Sequence, residues 1–392
     1  MIIDSHGAPQ PVRIPFNRPS LEGRELEYMA EAISNGRTSS SGPFSARAAE
    51  VLRAETGAED ALLTTSCTAA LELSAMLLDL EPGDSVVVPS FTFVTTALAF
   101  AREGARILFC DIEPRTLGLD PEHLATLLDD SVRAVVPIHY AGVACDLDGI
   151  RAVLADRPQV SLIEDNAHGL FGRWRGHPLG AFGRFATLSF HETKNIVCGE
   201  GGALLIHQPR DVDRARVVFE KGTNRRAFFL GQVDKYSWKD IGSSFGLSEI
   251  LAGHLYGQLE QRETIQAKRR VVFERYRDLL APHLDELGFR LPLIPDGAQQ
   301  TYHMFYVLLP DRPSRDAVLK HMQADGINPT FHYVPLHSSE GGRKFAARPT
   351  ECPVTDEMSG RLLRLPFYNN LTESESERVT ASFLTALSTI VA

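Results

Sequence analysis

Phe185-Ala-Thr-Leu-Ser189-Phe-His-Glu-Thr-Lys194-Asn195 carries an apolar run into a polar turn with a single lysine, and Gly199-Glu-Gly-Gly202 follows. The run Phe185–Phe190 reads as a short strand buried on both faces. Ser85–Val88, Ala105–Cys110, Ala134–Ile138, Val160–Ile163 and Ala203–Ile206 have the same character, with helical stretches between several of them. This alternation predicts an α/β fold, a mostly parallel sheet covered by helices. A lysine after such a strand, beside a glycine-rich turn, can be held out of bulk water. Desolvation disfavours its ammonium form and lowers its pKa. A neutral lysine amine can form a Schiff base with a carbonyl compound.

Outward from this stretch, residues 1–20 are rich in proline and polar groups and read as an extended arm. Residues 21–35 place Leu26, Met29, Ala30 and Ile33 at helical spacing, with Gly36 as the stop. A second helix is predicted from about Thr68 to Leu80. A long one is predicted from about Leu247 to Leu280, where Leu247, Leu251, Leu255 and Leu259 step by four. The expected organisation is a large domain over residues 1–250, including the arm, and a smaller α+β domain over residues 251–392. The long helix would join them.

The 392 residues are 43% hydrophobic and 23% charged, with a formal net charge of −10. No block of Lys and Arg interrupts the acidic balance, so neither nucleic acid nor an anionic membrane is an expected partner. The five cysteines are scattered without a C-x-x-C pair, which fits a reducing cytoplasm better than a disulfide framework. The start lacks the basic flank and apolar core of a signal peptide, and no apolar run is long enough to span a bilayer.

Ser161-Leu-Ile-Glu-Asp165-Asn-Ala-His168 ends a strand on two carboxylates. Ligands of open α/β sheets bind beyond the carboxyl ends of strands. Asp165 alone reads as a helix cap or turn acid, or as a carboxylate that keeps a pyridine nitrogen protonated. Pyridoxal 5'-phosphate (PLP) requires the latter, together with a Schiff-base lysine. Thr64-Thr-Ser66-Cys-Thr68-Ala69-Ala70 opens the second helix with small polar residues, suited to phosphate or to plain capping. Ser189 offers a further hydroxyl. Phe93, in Pro89-Ser-Phe-Thr-Phe93, could stack on a flat ring or fill the core. There is no G-x-G-x-x-G after the first strand and no P-loop pattern. His332 and His337 lack companions at metal-ligand spacing, so no metal is expected.

Taken in order, these pieces resemble the sugar-nucleotide aminotransferases of the DegT/DnrJ/EryC1/StrS family. Ser189-Phe-His-Glu-Thr-Lys194-Asn195 with Gly-Glu-Gly-Gly is similar to the family's Schiff-base motif, and Ile163-Glu-Asp165-Asn-Ala-His168-Gly to its pyridine-nitrogen motif. Ser66-Cys-Thr68-Ala-Ala-Leu resembles its phosphate turn, Pro89 to Phe93 its stacking loop, and Tyr333-Val-Pro-Leu-His337 its substrate-side loop. The resemblance implies a fold-type-I PLP enzyme, aspartate-aminotransferase-like. Lys194 would be the catalytic residue and hold PLP. Asp165 would pair with the pyridinium, His168 sit near the phenolic oxygen and Phe93 stack on the ring. Thr68, Ala69 and Ser189 would bind the phosphate, and Tyr333 and His337 the substrate. Ser237, where several relatives have Asn, would reach the phosphate of a second subunit, implying a homodimer with shared sites. Lys235-Tyr-Ser-Trp-Lys-Asp-Ile-Gly242 resembles more narrowly the dTDP-4-amino-4,6-dideoxygalactose transaminases. Their substrates are a dTDP-linked 4-keto sugar and L-glutamate. A 3-keto or UDP-linked sugar is the alternative within the same chemistry. An NAD-dependent sugar-nucleotide enzyme and a non-catalytic regulator are the alternatives outside it.

Overall fold

The computed structural model describes residues 14–229 and 231–391. Nine strands appear in the first 206 residues: β1 Asp60–Thr64, β2 Ser85–Pro89, β3 Arg106–Cys110, β4 Val132–Val135, β5 Ser161–Asp165, β6 Arg173–Trp174, β7 His177–Pro178, β8 Phe185–Ser189 and β9 Gly202–Ile206. Seven of them form one sheet in the spatial order β1-β9-β8-β5-β4-β2-β3. Only β9 runs against its neighbours, β1 and β8; the other pairs are parallel. Both faces are covered, which is why the strands read as continuous apolar runs. On β2, Val86 and Val88 pack with helix Cys67–Met76, whereas Val87 faces Leu108, Leu124 and Ile150.

The sequence reading missed β1. Its apolar part is only Ala61-Leu-Leu63, and it pairs with β9 far along the chain, Asp60 opposite Ile206 and Thr64 opposite Gly202. Nothing local to the run announces that partner.

The first helix, Glu25–Ser34, is turned over relative to expectation. Its buried residues are Glu25, Tyr28 and Ala32, while Leu26 and Ile33 are 63% and 57% exposed. Helix Glu249–Glu260 dictates this by approaching through glycines: a Cβ on Gly257 would lie 2.9 Å from the Glu25 Cα. The Glu25 carboxylate is satisfied there by the N–H groups of Glu22 (2.7 Å) and Gly23 (2.8 Å) and by Gln258 Nε2 (2.5 Å).

The expected long helix is two helices, Glu249–Glu260 and Arg262–Leu280, broken at Gln261 where ψ reaches 13°. The break separates two packing duties. Ala252, Leu255 and Leu259 join the layer over β1, β8 and β9. Val272, Phe273, Tyr276 and Leu280 join a separate core with Phe305, Val307, Leu363, Phe383 and Leu387. That second core also holds β11 Tyr306–Leu308 and β12 Leu362–Arg364, an antiparallel pair, while β10 Ala298–Gln299 pairs with β6. Residues 1–13 of the expected arm lie outside the described residues. From Ile14 onward the arm docks on the second core: Ile14 N–H donates to Gly326 O at 3.1 Å, and Phe367 N–H to Phe16 O at 3.1 Å. Among the described residues no helix is long and apolar enough to cross a membrane.

Glu249, 1% exposed, gathers the loop before helix Pro43–Thr56. Its carboxylate accepts from the N–H groups of Gly42 (2.9 Å), Phe44 (2.8 Å) and Ser45 (2.9 Å). Each unsatisfied buried donor costs roughly 1–3 kcal/mol. Glu249→Ala should therefore lower stability by about 3 kcal/mol or more in urea unfolding. A loss under about 1 kcal/mol would refute the clamp.

Candidate active site

β5 and β8 lie side by side and parallel, with Asp165 opposite Thr187. Their carboxyl ends therefore open on one edge of the sheet. Asp165 closes β5 and is 3% exposed. Its Oδ2 accepts from Thr96 Oγ1 at 2.7 Å and its Oδ1 from Ala167 N–H at 3.2 Å. Burial raises the pKa of this carboxyl, and the Thr96 and Ala167 bonds and the Lys194 charge only partly offset that. Past β8 the chain turns through residues 191–198 and sets Lys194, partly buried, beside Asp165. Burial pushes the Lys194 amine down to about 8, although Cys67 and Asp165 pull the other way.

The turn after β1 comes to the same place. Ser66 caps helix Cys67–Met76, its Oγ accepting from Ala69 N–H at 3.0 Å. Gly202 of β9 passes directly behind: a Cβ there would lie 2.4 Å from Ser66 C and O. The glycine cluster thus serves close backbone approach as well as the turn. The Cys67 thiol is pushed up by burial and further by Asp165, against the effect of Lys194. Turn, carboxyl and amine therefore share one neighbourhood. Thr68 is partly buried in this turn, and Ser189 is partly buried opposite Gly202.

His168 is 5% exposed, and its ring stacks on His303 at 4.2 Å and 19°. Its Nδ1 is buried without a partner. His303 Nδ1 donates to Asn195 Oδ1 at 2.8 Å, and Asn195 Nδ2 to Thr301 O at 2.6 Å. Burial first, and neighbouring cations such as Lys194 second, hold both imidazoles well below their ordinary pKa, hence neutral. A small cavity lies between Ala167, His168, Ser189, Lys194 and His303.

The remaining expected residues are dispersed. Phe93 is 56% exposed, so it is not a core residue, whereas Phe91 is fully buried against Tyr140 (5.1 Å) and Tyr333 (5.4 Å). Tyr333 stacks on His332 at 4.1 Å. His337 Nδ1 bonds Ser90 Oγ at 2.7 Å and ties its loop to the end of β2. Ser237 sits in a largely exposed segment, its N–H donating to Asn224 Oδ1 at 2.7 Å. Among the described residues no hydrogen bond joins Ser237 to Ser66, Thr68 or Ser189. Thr96, Asn195 and His303 were not anticipated as site residues. His303 had a faint signal, a histidine just ahead of the apolar run Met304–Leu309.

A family model described as the DegT/DnrJ/EryC1/StrS aminotransferase family matches residues 19–384. The chain belongs to this family. Enzymes of the family work with PLP, and the chain is accordingly a PLP-dependent sugar aminotransferase. Its fold is similar to that of the aminotransferase TlmJ from Streptoalloteichus hindustanus, at 29% identity and TM-score 0.87, over 97% of this chain and 99% of that one. DesV from S. venezuelae matches at 27% identity and TM-score 0.86, over 96% and 99% of the two chains. Spr1654 from Streptococcus pneumoniae, in its PMP form, shares the fold at 21% identity and TM-score 0.89, over 97% and 100%.

The depressed Lys194 pKa has a measurable consequence. In the apoprotein, competitive amine labelling read by mass spectrometry should give Lys194 a titration midpoint near pH 8, below the ordinary lysine value of 10.5. The unfolded chain binds this proton more tightly than the folded one. This group's contribution to apoprotein stability therefore rises as pH goes from about 8 to 10.5. A midpoint near 10.5 would show the amine to be solvated.

Proposed function

We propose that this enzyme transfers the amino group of L-glutamate to dTDP-4-dehydro-6-deoxy-D-glucose, giving a dTDP-4-amino-4,6-dideoxyhexose and 2-oxoglutarate. The observation that carries the chemistry is the pairing of a depressed lysine amine with a buried, Thr96-anchored carboxyl at one sheet edge. The sugar assignment rests on the Lys235–Gly242 stretch and its resemblance to transaminases of that substrate.

The residues fit PLP. Asp165 is buried and would hold the proton of the pyridine nitrogen. His168, with its unpartnered Nδ1, would lie beside the phenolic oxygen. The first turn of helix Cys67–Met76, with Thr68 and Ala69, and Ser189 beside it, would hold the phosphate; open N–H groups at a helix start favour an anion. Phe93 is open for stacking. When bound, the cofactor supplies an electron sink for the pair left on the reacting carbon. Lys194 would carry the cofactor, take the proton from the donor's carbon at Nζ and return it to the sugar carbon. A neutral amine near working pH suits a general base. Neutral His168 and His303 add no positive charge against it.

Homodimerisation belongs to the same reading. Phe229, Trp238 and Ile241 are 70%, 82% and 60% exposed around Ser237, an apolar surface suited to a second copy. Ser237 would then act at the partner's phosphate. The enzyme would work in the cytoplasm, where nucleotide-linked sugars are made.

Purified protein should show an absorbance band at about 410–430 nm that L-glutamate bleaches. NMR of the product from the 4-keto sugar should place the new amine on C4. An amine on C3, or faster turnover of a UDP-linked sugar, would displace the substrate assignment. Lys194→Ala should lose at least about 10²–10⁴ of the turnover, the usual range for a positioned acid–base group. Full retention would exclude the mechanism.

A further inference from the structure

Several helical threonines in this protein turn their hydroxyl back on their own helix. Thr56 donates to Leu52 O at 2.7 Å, Thr380 to Ser376 O at 2.9 Å and Thr389 to Thr385 O at 2.9 Å. Thr96, at the second position of helix Thr95–Arg102 and fully buried, does otherwise. Its Oγ1 donates to Asp165 Oδ2 at 2.7 Å, 69 residues away in the chain, and lies 2.9 Å from Thr92 Oγ1. A hydroxyl has one proton to give. Thr96 gives it to the carboxylate, so the bond between the threonines runs from Thr92 to Thr96. Thr92 is buried too, and its hydroxyl has no other side-chain partner among the described residues. The result is a directed chain, Thr92 to Thr96 to Asp165, in which each bond polarises the next. The two threonines also stand on either side of Phe93, so the chain ties the loop that offers this exposed ring to the carboxylate at the sheet edge.

Little else is available to keep Asp165 charged. Four titratable groups face it from other elements: Lys194 in the turn after β8, His139 after β4, Cys67 at the start of helix Cys67–Met76, and Tyr333 on its loop. Burial raises the Cys67 thiol and the Tyr333 phenol, so both stay neutral. The charge of His139 is already taken up by Glu164 at 2.9 Å. Lys194 favours the carboxylate, but carrying a cofactor occupies the nitrogen that bears its charge. Two donors stay on Asp165 whatever Lys194 does, Thr96 Oγ1 at 2.7 Å and Ala167 N–H at 3.2 Å. The Thr96 bond is the shorter of the two, and it alone has a second donor behind it.

We propose that Thr96, backed by Thr92, is a positioning residue for amine transfer: its hydroxyl fixes the plane of the Asp165 carboxylate and keeps it ionised, so that the cofactor's pyridine nitrogen holds its proton. The proposal rests on the reading of Asp165 as the partner of that nitrogen. Thr96 engages one carboxylate oxygen and Ala167 N–H the other, so the group cannot turn without giving up a bond. A protonated ring nitrogen is what makes the cofactor a strong electron sink. With the hydroxyl removed, a carboxyl this deeply buried would compete for the proton itself.

The test reconstitutes the holoenzyme with PLP or with its deaza analogue, in which C–H replaces the ring nitrogen. Thr96→Val keeps the shape of the side chain and removes the donor. It should weaken PLP binding about 10- to 100-fold, the range for a lost hydrogen bond to a charged group, and binding of the analogue by less than about threefold. With PLP labelled at the ring nitrogen, nitrogen NMR should place the wild-type signal in the protonated range and move it toward the neutral range in Thr96→Val. Thr96→Ser keeps the hydroxyl and should restore both readouts. Thr92→Val leaves the Asp165 bond in place and should move both readouts the same way by a smaller amount, which keeps the test decisive if Thr96→Val does not fold. Equal weakening of PLP and the analogue, an unmoved nitrogen signal, or a Thr96→Ser protein as impaired as Thr96→Val would overturn the proposal and leave the pairing of Asp165 with the nitrogen intact. Wild-type protein that binds PLP and the analogue equally well would overturn that pairing, and the proposal with it.

Discussion

Glu164 and Asp165 are neighbours on β5, and the two-residue period of a strand sends them to opposite faces. Glu164, fully buried, accepts from Gly180 N–H (2.8 Å), Phe182 N–H (2.6 Å) and Gly183 N–H (2.9 Å), and from His139 Nε2 at 2.9 Å. Burial works to raise its pKa, but the His139 bond and charge and the backbone donors win and lower it. His139 is raised in turn, against its burial, by Cys145 and Glu164. This ionic knot fixes the segment that feeds β8, and β8 leads into the turn that holds Lys194. Removing one partner of such a pair leaves a buried charge uncompensated, at a cost of about 3–5 kcal/mol. The site's geometry therefore hangs on a carboxylate taken up by donors of its own chain, and Asp165, on the other face, stands outside that knot.

Opposing influences tune the amine. Burial disfavours the Lys194 ammonium, Asp165 favours it and Arg364 disfavours it. Two histidines stacked on each other would add strong repulsion if charged. Burial keeps them neutral, so His168 remains a hydrogen-bonding group rather than a cation. The same desolvation that lowers Lys194 raises Asp165, and Thr96 donates a bond that limits that rise. A helix start, a strand end and a turn converge here because each belongs to the carboxyl edge of one sheet.

Much of this was legible in the chain. Buried parallel strands announce themselves as apolar runs, and β2, β3, β5, β8 and β9 did so. The motifs around Asp165 and Lys194 are contiguous, so spacing alone brought them to adjacent strand ends. What escaped depends on distant partners. β1 is defined by β9. The face of helix Glu25–Ser34 is set by Gly253 and Gly257, which admit a backbone where the apolar stripe was expected to bury. The kink at Gln261 follows from two cores competing for one stretch of helix-forming sequence. His303 reaches Asn195 from more than a hundred residues away, and Thr96 reaches Asp165 across the sheet. Neither has a local signature.

Polar bookkeeping separates structural from functional groups in this protein. Glu25, Glu249 and Glu164 are deeply buried, and each accepts several donors from its own chain. Such groups are finished by folding. Buried atoms left without a partner are uncommon in folded proteins. Here Tyr140 Oη, Asn166 Oδ1, His168 Nδ1, Thr187 Oγ1 and Arg364 Nε are such atoms, the first four on or next to residues at the carboxyl edge of the large sheet, and Gln208, Gln258, Gln266, Arg315 and Thr350 carry others elsewhere. Their mixture of hydroxyl, neutral imidazole and guanidinium suits a ligand set that is both anionic and rich in acceptors.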